Sequence, residues 1–379
     1  MYKLEQTFSH SVLPTLNEGK VCVDYSWVSG QQEQYDTLIC KLQKRLPANR
    51  TYHPESLEQS ILQYMSSIGL YATKDLAQLD ALSSLHPVYR MVSELLKAQQ
   101  FHKQWVNKLI PYYSKTSDRL ELTGHWRSFT SYTGRITASK LPLTSMPNKM
   151  KQWIIPSESG CSIWSIDLNN AELRFLALYS NDQQLTDDLK NGRDIHHIVG
   201  TLFQQHLSYK SNEPDHRKAA KTFIFAMLYG AGDYRLAEGL KKSGYIIQSN
   251  DVIHIKKTVF SRYTSLEGYF KSVESSDLVN CFFGPIRPMV NMTSSQRRNF
   301  ALQSSIATAI KILSLIATSM RLKVISIIHD EIWVEVPDTR NPIWMIQLEK
   351  TFSDSLKASH PLFPADGLLK IKKLGGTFL

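Results

Sequence analysis

The stretch VISIIHDEIWVEVP, residues 324–337, sets two strand-length runs of Val, Ile and Trp on either side of His329, Asp330 and Glu331. β-Branched and aromatic runs of this length read as strands, and a polar break between them reads as a hairpin turn. The text therefore calls for a sheet with a carboxylate at its turn. Successive strand residues face opposite ways, so Asp330 and Glu331 do not serve one ligand equally. Asp330 is the stronger candidate for catalysis and Glu331 a secondary member of the set. An uncompensated charge among apolar neighbours is costly, and the simplest compensation is a metal ion, which Asp330 would hold with a partner carboxylate from elsewhere in the chain.

That partner is predicted in SIWSIDLNNAELRFLALY, residues 162–179. A period of two puts Trp164, Ile166 and Leu168 on one face of a strand and Ile163, Ser165 and Asp167 on the other. The text then becomes helical, with Glu172 near the helix start, where the dipole favours a carboxylate. Asp167 and Asp330 are thus two strand-end carboxylates, 163 positions apart. Such a pair can hold divalent cations for phosphoryl transfer.

In RKAAKTFIFAMLYG the residues Arg217, Lys221, Phe225 and Tyr229 recur every fourth position. Four residues advance a helix by only about 40° in direction, so one face carries two cations followed by two rings. Guanidinium and ammonium groups suit phosphate oxygens, and the rings suit a sugar and base. An elongated anionic ligand with a flat end fits this face.

Forty-four Lys and Arg against 34 Asp and Glu, a net charge of +10, favour an anionic partner, with nucleic acid the first expectation. Hydrophobic content of 42% excludes a disordered chain. The four cysteines, Cys22, Cys40, Cys161 and Cys281, form no ligand cluster or disulfide pattern, which suits a reducing cytosol. The N-terminus lacks an apolar signal core and no window approaches a membrane span, so a soluble cytoplasmic protein with no membrane partner is expected. Helical periodicity dominates residues 31–114 and 183–276, with Pro214 expected in the first turn of the RKAAKTFIFAMLYG helix. Loops and short strands, with Arg127 and Arg135 suited to phosphate, are expected over 124–156, and a long helix over about 295–322.

Taken in order, these segments resemble the family A DNA polymerases, the group containing bacterial DNA polymerase I. TGR at Thr133 to Arg135 followed by SMP resembles the segment before the palm. DLNNAELR, with Asp167, Glu172 and Arg174, resembles the first palm motif, RKAAKTFIFAMLYG the fingers helix, and HDE the last palm motif. GRDIHH adds His196, matching a phosphate-contacting His, and NFALQS adds Asn299 and Gln303, matching residues that face the primer-template. Leu168-Asn169-Asn170-Ala171 and the residues Ile224 and Ala226 depart from the family's usual letters, while every charged and aromatic position is kept.

The resemblance implies an α+β right-hand fold, with an antiparallel-sheet palm and largely helical fingers and thumb. It divides the chain into the start of the palm (1–30), thumb (31–114), palm with the first motif (115–182), fingers (183–276) and palm with the last motif (277–379). The 379 residues leave no room for the family's exonuclease domain, so synthesis without proofreading is expected. The implied reaction is template-directed addition of dNTPs to a primer 3′ end, in replication or repair, of bacterial or phage type. Asp167 and Asp330 would hold two Mg2+ ions, with Mn2+ able to substitute. Arg217, Lys221, Phe225, Tyr229, Glu172 and His196 would hold the dNTP, and Arg135, Asn299, Gln303, His329 and Arg174 the DNA. A separate exonuclease, helicase-primase or processivity factor is the expected kind of accessory partner.

The alternatives are a single-subunit RNA polymerase, a two-metal nuclease and a DNA-binding protein without activity. Glu172, Phe225 and HDE favour DNA over RNA synthesis, and a nuclease has no need of the Arg/Lys/Phe/Tyr face.

Overall fold

Two four-stranded antiparallel sheets organise the chain, each within its own compact unit. The structure, a computed structural model, describes residues 1–44, 57–209, 213–248, 250–276, 278–288 and 291–375. The tail of the helix predicted at YDTLICKLQKRL lies outside these residues.

The larger unit comprises Met1–Gly19, Gly124–Met146 and Glu158–Leu374. Its sheet runs in the order Lys323–Ile328, Glu331–Pro337, Cys161–Leu168, Leu369–Leu374. The first two strands are the hairpin expected from VISIIHDEIWVEVP: Ile328 pairs with Glu331, leaving His329 and Asp330 as its two-residue turn. His329 takes φ 54°, the left-handed conformation that a tight hairpin requires and that a side chain other than glycine's adopts reluctantly. The predicted alternation of the 161–168 strand holds, because Asp167, Ser165 and Ile163 pair in turn with Glu331, Trp333 and Glu335 on one face. Ile163, Ile166, Ile332, Trp333 and Val334 are all buried in this sheet.

Helices surround the sheet in sequence order. Ala171–Ser180 leaves the strand end directly, and Ile195–His206 packs against His216–Leu228. Pro214 lies ahead of the latter helix, not in its first turn, because Asp215 caps it by accepting from the Lys218 amide at 2.9 Å. The long helix is Ser294–Ser319, opened by a capping box between Thr293 and Gln296. It also corrects an expectation. With a window of mean hydropathy 1.6 this helix is long and apolar enough to cross a membrane, and 78% of that window is buried inside the protein. Its Ala, Ser and Thr residues interrupt any conspicuous apolar run, yet they let a helix pack closely in a core.

The smaller unit comprises Lys20–Thr123 with Pro147–Ser157. Its sheet runs Tyr113–Ser114, Arg119–Leu122, Val21–Asp24, Ile154–Ile155. Helices Leu57–Ser67, Leu76–Leu82 and Pro87–Phe101 close over Ile61, Met65, Leu79, Val92 and Leu95, all fully buried. This is the helical stretch expected after residue 31, and Tyr25–Gln43 precedes it.

Candidate active site

Strand ends bring the two aspartates together. The Leu168 amide, next to Asp167, donates to the Asp330 carbonyl at 3.0 Å, so the hairpin turn is bonded to the end of the 161–168 strand. Glu331 is the direct ladder partner of Asp167. Directly opposed residues share a face with Cβ atoms about 4.5–5.5 Å apart, so Glu331 sits closer to Asp167 than strand alternation with Asp330 suggested. Its carboxylate, however, is 6% exposed and accepts from the Ser165 hydroxyl and the Trp333 indole. Burial pushes the Asp330 carboxyl above its ordinary range, and the charge of Glu331 adds to this. The turn's own amide and the charges of His329 and Arg135 oppose it.

Helix His216–Leu228 presents the predicted face. Arg217 and Lys221 are exposed and Phe225 and Tyr229 half-buried, while Ala220, Phe223, Ile224, Met227 and Leu228 face the core. The Phe225 and Tyr229 rings stack with centroids 6.4 Å apart. Tyr229 is the cap residue after the helix, where its amide still bonds to the Phe225 carbonyl at 3.1 Å.

At the ring end of this face, three residues from three elements close into a network. The Tyr229 hydroxyl donates to Glu172 at 3.2 Å, and the Gln303 amide donates to Tyr229 at 2.6 Å and to Glu172 at 3.4 Å. Burial and the nearby charge of Asp330 raise the Glu172 carboxyl, and burial followed by the Glu172 charge raises the Tyr229 phenol. At the cation end, Asp194 caps the Ile195–His206 helix by accepting from the His196 and His197 amides, and it receives the Arg217 Nε at 2.6 Å. His196 is 3% exposed, with its ring 5.8 Å from that of Phe225. Burial holds its imidazole down to about 4, helped by the charges of Lys221, Arg217 and Lys370 and opposed by Asp194. The ring is neutral at pH 7 and offers one N–H.

Arg174, expected at the DNA, is turned inward. It is 2% exposed, and its guanidinium donates to the carbonyls of Asn169, Pro364, Asp366 and Gly367. Desolvation lowers it to about 10. Arg174 braces the loop before the Leu369–Leu374 strand, because a side chain with five donors satisfies several buried carbonyls at once. Asn299 donates to the Tyr132 hydroxyl at 3.2 Å, and Gln303 faces the Glu172–Tyr229 pair. His329 is exposed at the turn.

Four residues picked out from the sequence carry a buried polar atom without a hydrogen-bond partner. Among the described residues these atoms are Arg135 Nε, His196 Nδ1, Asn299 Oδ1 and Gln303 Oε1. Native interiors satisfy nearly all such atoms, and Tyr269 Oη, Arg298 Nε and Ser326 Oγ are also of this kind. No group of three or more His, Cys, Asp or Glu with metal-binding geometry occurs among the described residues.

Sequence reading missed three residues. Lys311, 1% exposed, pairs with Glu5 and donates to the Gly134 carbonyl at 2.9 Å, fixing the peptide next to Arg135. Gly134 takes φ 72°, which only glycine adopts freely. Lys370 is the ladder partner of Asp167 on its other side. None of these contacts has a signal in local periodicity.

Comparison with known proteins agrees with this geometry. The sequence profile of DNA polymerase family A matches residues 54–362. DNA polymerase I of Lactococcus lactis subsp. lactis is 25% identical over 312 residues, covering 75% of this chain and 34% of that protein. DNA polymerase I of Streptococcus pneumoniae strain R6 is 23% identical over 402 residues, covering 96% of this chain and 45% of that protein. The chain thus spans a third to a half of the length of these relatives. The POL domain of Pol1 from M. smegmatis, in complex with DNA primer-template and dNTP, superposes with a TM-score of 0.75 at 17% identity, covering 98% of this chain and 69% of that one, and so shares its fold. With the profile spanning most of its length and the ordered motifs meeting at one site, the chain belongs to DNA polymerase family A.

Proposed function

We propose that this chain catalyses template-directed DNA synthesis, in which a primer 3′ hydroxyl attacks the α-phosphorus of a dNTP and pyrophosphate leaves. One observation carries the reading: the Asp167–Asp330 strand ends and the cation-to-ring face of the His216–Leu228 helix meet across the Glu172–Tyr229–Gln303 network. The relatives are DNA polymerases, and the structural neighbour was solved with primer-template and dNTP.

Asp167 and Asp330 fit Mg2+, since both supply hard oxygen donors and the Asp330 charge is under-compensated by the protein. When bound, such ions stabilise the attacking and leaving oxygens. Arg217 and Lys221 hold the triphosphate, with Asp194 orienting the Arg217 fork. His196, held neutral, donates its N–H to a phosphate oxygen. Phe225 and Tyr229 wall the sugar and base. Glu172, held in place by Tyr229 and Gln303, closes the space that a 2′ hydroxyl would enter. Arg135 and His329, whose charges reach Asp330, attend the primer end. In this reading the larger sheet-bearing unit supplies palm and fingers and the helical unit the thumb.

Incubation with a labelled primer-template, dNTPs and Mg2+ tests the proposal. Lengthening of the primer supports it, while shortening supports a nuclease and binding without change an inactive DNA-binding protein. Asp330→Ala is expected to reduce extension at least 1000-fold, on the order of 4 kcal/mol of transition-state stabilisation, while keeping most DNA affinity. Extension surviving in that variant overturns the metal assignment.

A further inference from the structure

The edge strand Leu369–Leu374 places a lysine directly beside the catalytic carboxylate. In its register Lys370 pairs with Asp167, Lys372 with Ser165 and Leu374 with Ile163, so Lys370 projects from the Asp167 face of the sheet. Directly opposed residues have Cβ atoms about 4.5–5.5 Å apart, and Lys370 is exposed. Its charge also reaches His196. The lysine thus stands beside the strand-end carboxylate and within electrostatic reach of the imidazole proposed to contact phosphate. A lysine ammonium there gains most from a polyanion that spans both.

We propose that Lys370 is an additional binding residue for the phosphate tail of the incoming nucleotide and for the pyrophosphate that leaves. The inference rests on the proposed polymerase reading of the same site. It adds a palm-sheet cation opposite the Arg217 and Lys221 of the helix, so that the tail is gripped from two elements.

Lysines also blunt exposed sheet edges against pairing with other chains, and Leu369–Leu374 is an edge strand. Lys372 separates the two roles. It stands one step along the same face of the same edge, is equally exposed, and is opposite Ser165 and not a carboxylate.

The test compares wild type, Lys370→Ala, Lys370→Arg and Lys372→Ala by primer extension over a range of dNTP concentrations, with and without added pyrophosphate. Lys370→Ala is expected to raise KM for dNTP and the inhibition constant for pyrophosphate about 3- to 10-fold, with kcat within about 2-fold, about what one typical hydrogen bond contributes net. Lys370→Arg restores both constants to within about 2-fold, and Lys372→Ala leaves both unchanged. Unchanged constants in Lys370→Ala, or equal changes in Lys372→Ala, overturn the inference. If the wild type does not extend a primer, the polymerase reading falls separately. Calorimetric titration of dATP with Mg2+ into wild type and Lys370→Ala then judges Lys370 alone, equal affinities overturning it and a 3- to 10-fold loss supporting it.

Discussion

His196 shows how one buried side chain couples the site to stability. Its imidazole titrates at about 4 against an ordinary 6.5, because burial penalises its charged form first and foremost. Above pH 6.5 it is neutral in folded and unfolded chains alike and adds no pH dependence. Between 6.5 and 4 the unfolded chain takes up the proton first, so stability falls with acidification, by about 2 kcal/mol at pH 5 from this residue alone. Urea unfolding at pH 7 and pH 5 should therefore show a larger loss for wild type than for His196→Gln, and equal losses would mean that the ring is solvated. Glu172 makes the second residue-scale prediction. If Glu172, held by Tyr229 and Gln303, closes the space for a 2′ hydroxyl as proposed, Glu172→Ala should raise ribonucleotide incorporation at least 10-fold relative to dNTP use, read on an alkali-sensitive product. Glu172 was legible as a carboxylate at a helix start, whereas His196 was picked out only through the resemblance of GRDIHH. Arg174 was legible as a charge but not as to its direction, because a guanidinium reads the same whether it faces DNA or four carbonyls.

At the scale of elements, the join between the two site helices carries most of the geometry. Asp194 caps Ile195–His206 and receives Arg217 from His216–Leu228, so one carboxylate sets both the helix start and the guanidinium. Asp194→Ala should cost about 1 kcal/mol in thermal or denaturant unfolding through the lost cap. Asp194→Asn keeps a capping oxygen and should stay within a few tenths of wild type, since the half-exposed ion pair itself contributes little. Equal losses in both variants would assign the stability to the ion pair. The His216–Leu228 helix and the 324–337 hairpin were both readable, because periods of 3.6 and 2 are written into neighbouring letters. Bonds that join elements were not. The Lys311–Glu5 pair spans 306 positions and the Lys370–Asp167 pairing 203, with nothing local to announce either.

For the whole molecule, the net charge of +10 predicts how it would hold the proposed primer-template. Affinity through phosphate contacts falls with salt by counterion release, so even four contacts imply about a 100-fold loss between 50 and 200 mM salt. Fluorescence anisotropy with a primer-template should show that slope for wild type and for Asp330→Ala alike, and a flat profile would refute a charge-based grip. By itself the sequence determined the order of the motifs and singled out the two aspartates and the cation-and-ring helix, because alternation, helical spacing and a charge in an apolar run are short-range consequences of backbone geometry and desolvation, and the fold class followed from the resemblance that those ordered motifs carry. Tertiary structure alone decided that Glu331 lies opposite Asp167 but is held by Ser165 and Trp333, that Arg174 faces inward, and that Lys370 stands beside the strand end at Asp167. Those outcomes depend on strand register and on which buried carbonyls need donors, and both are settled only when distant segments pack.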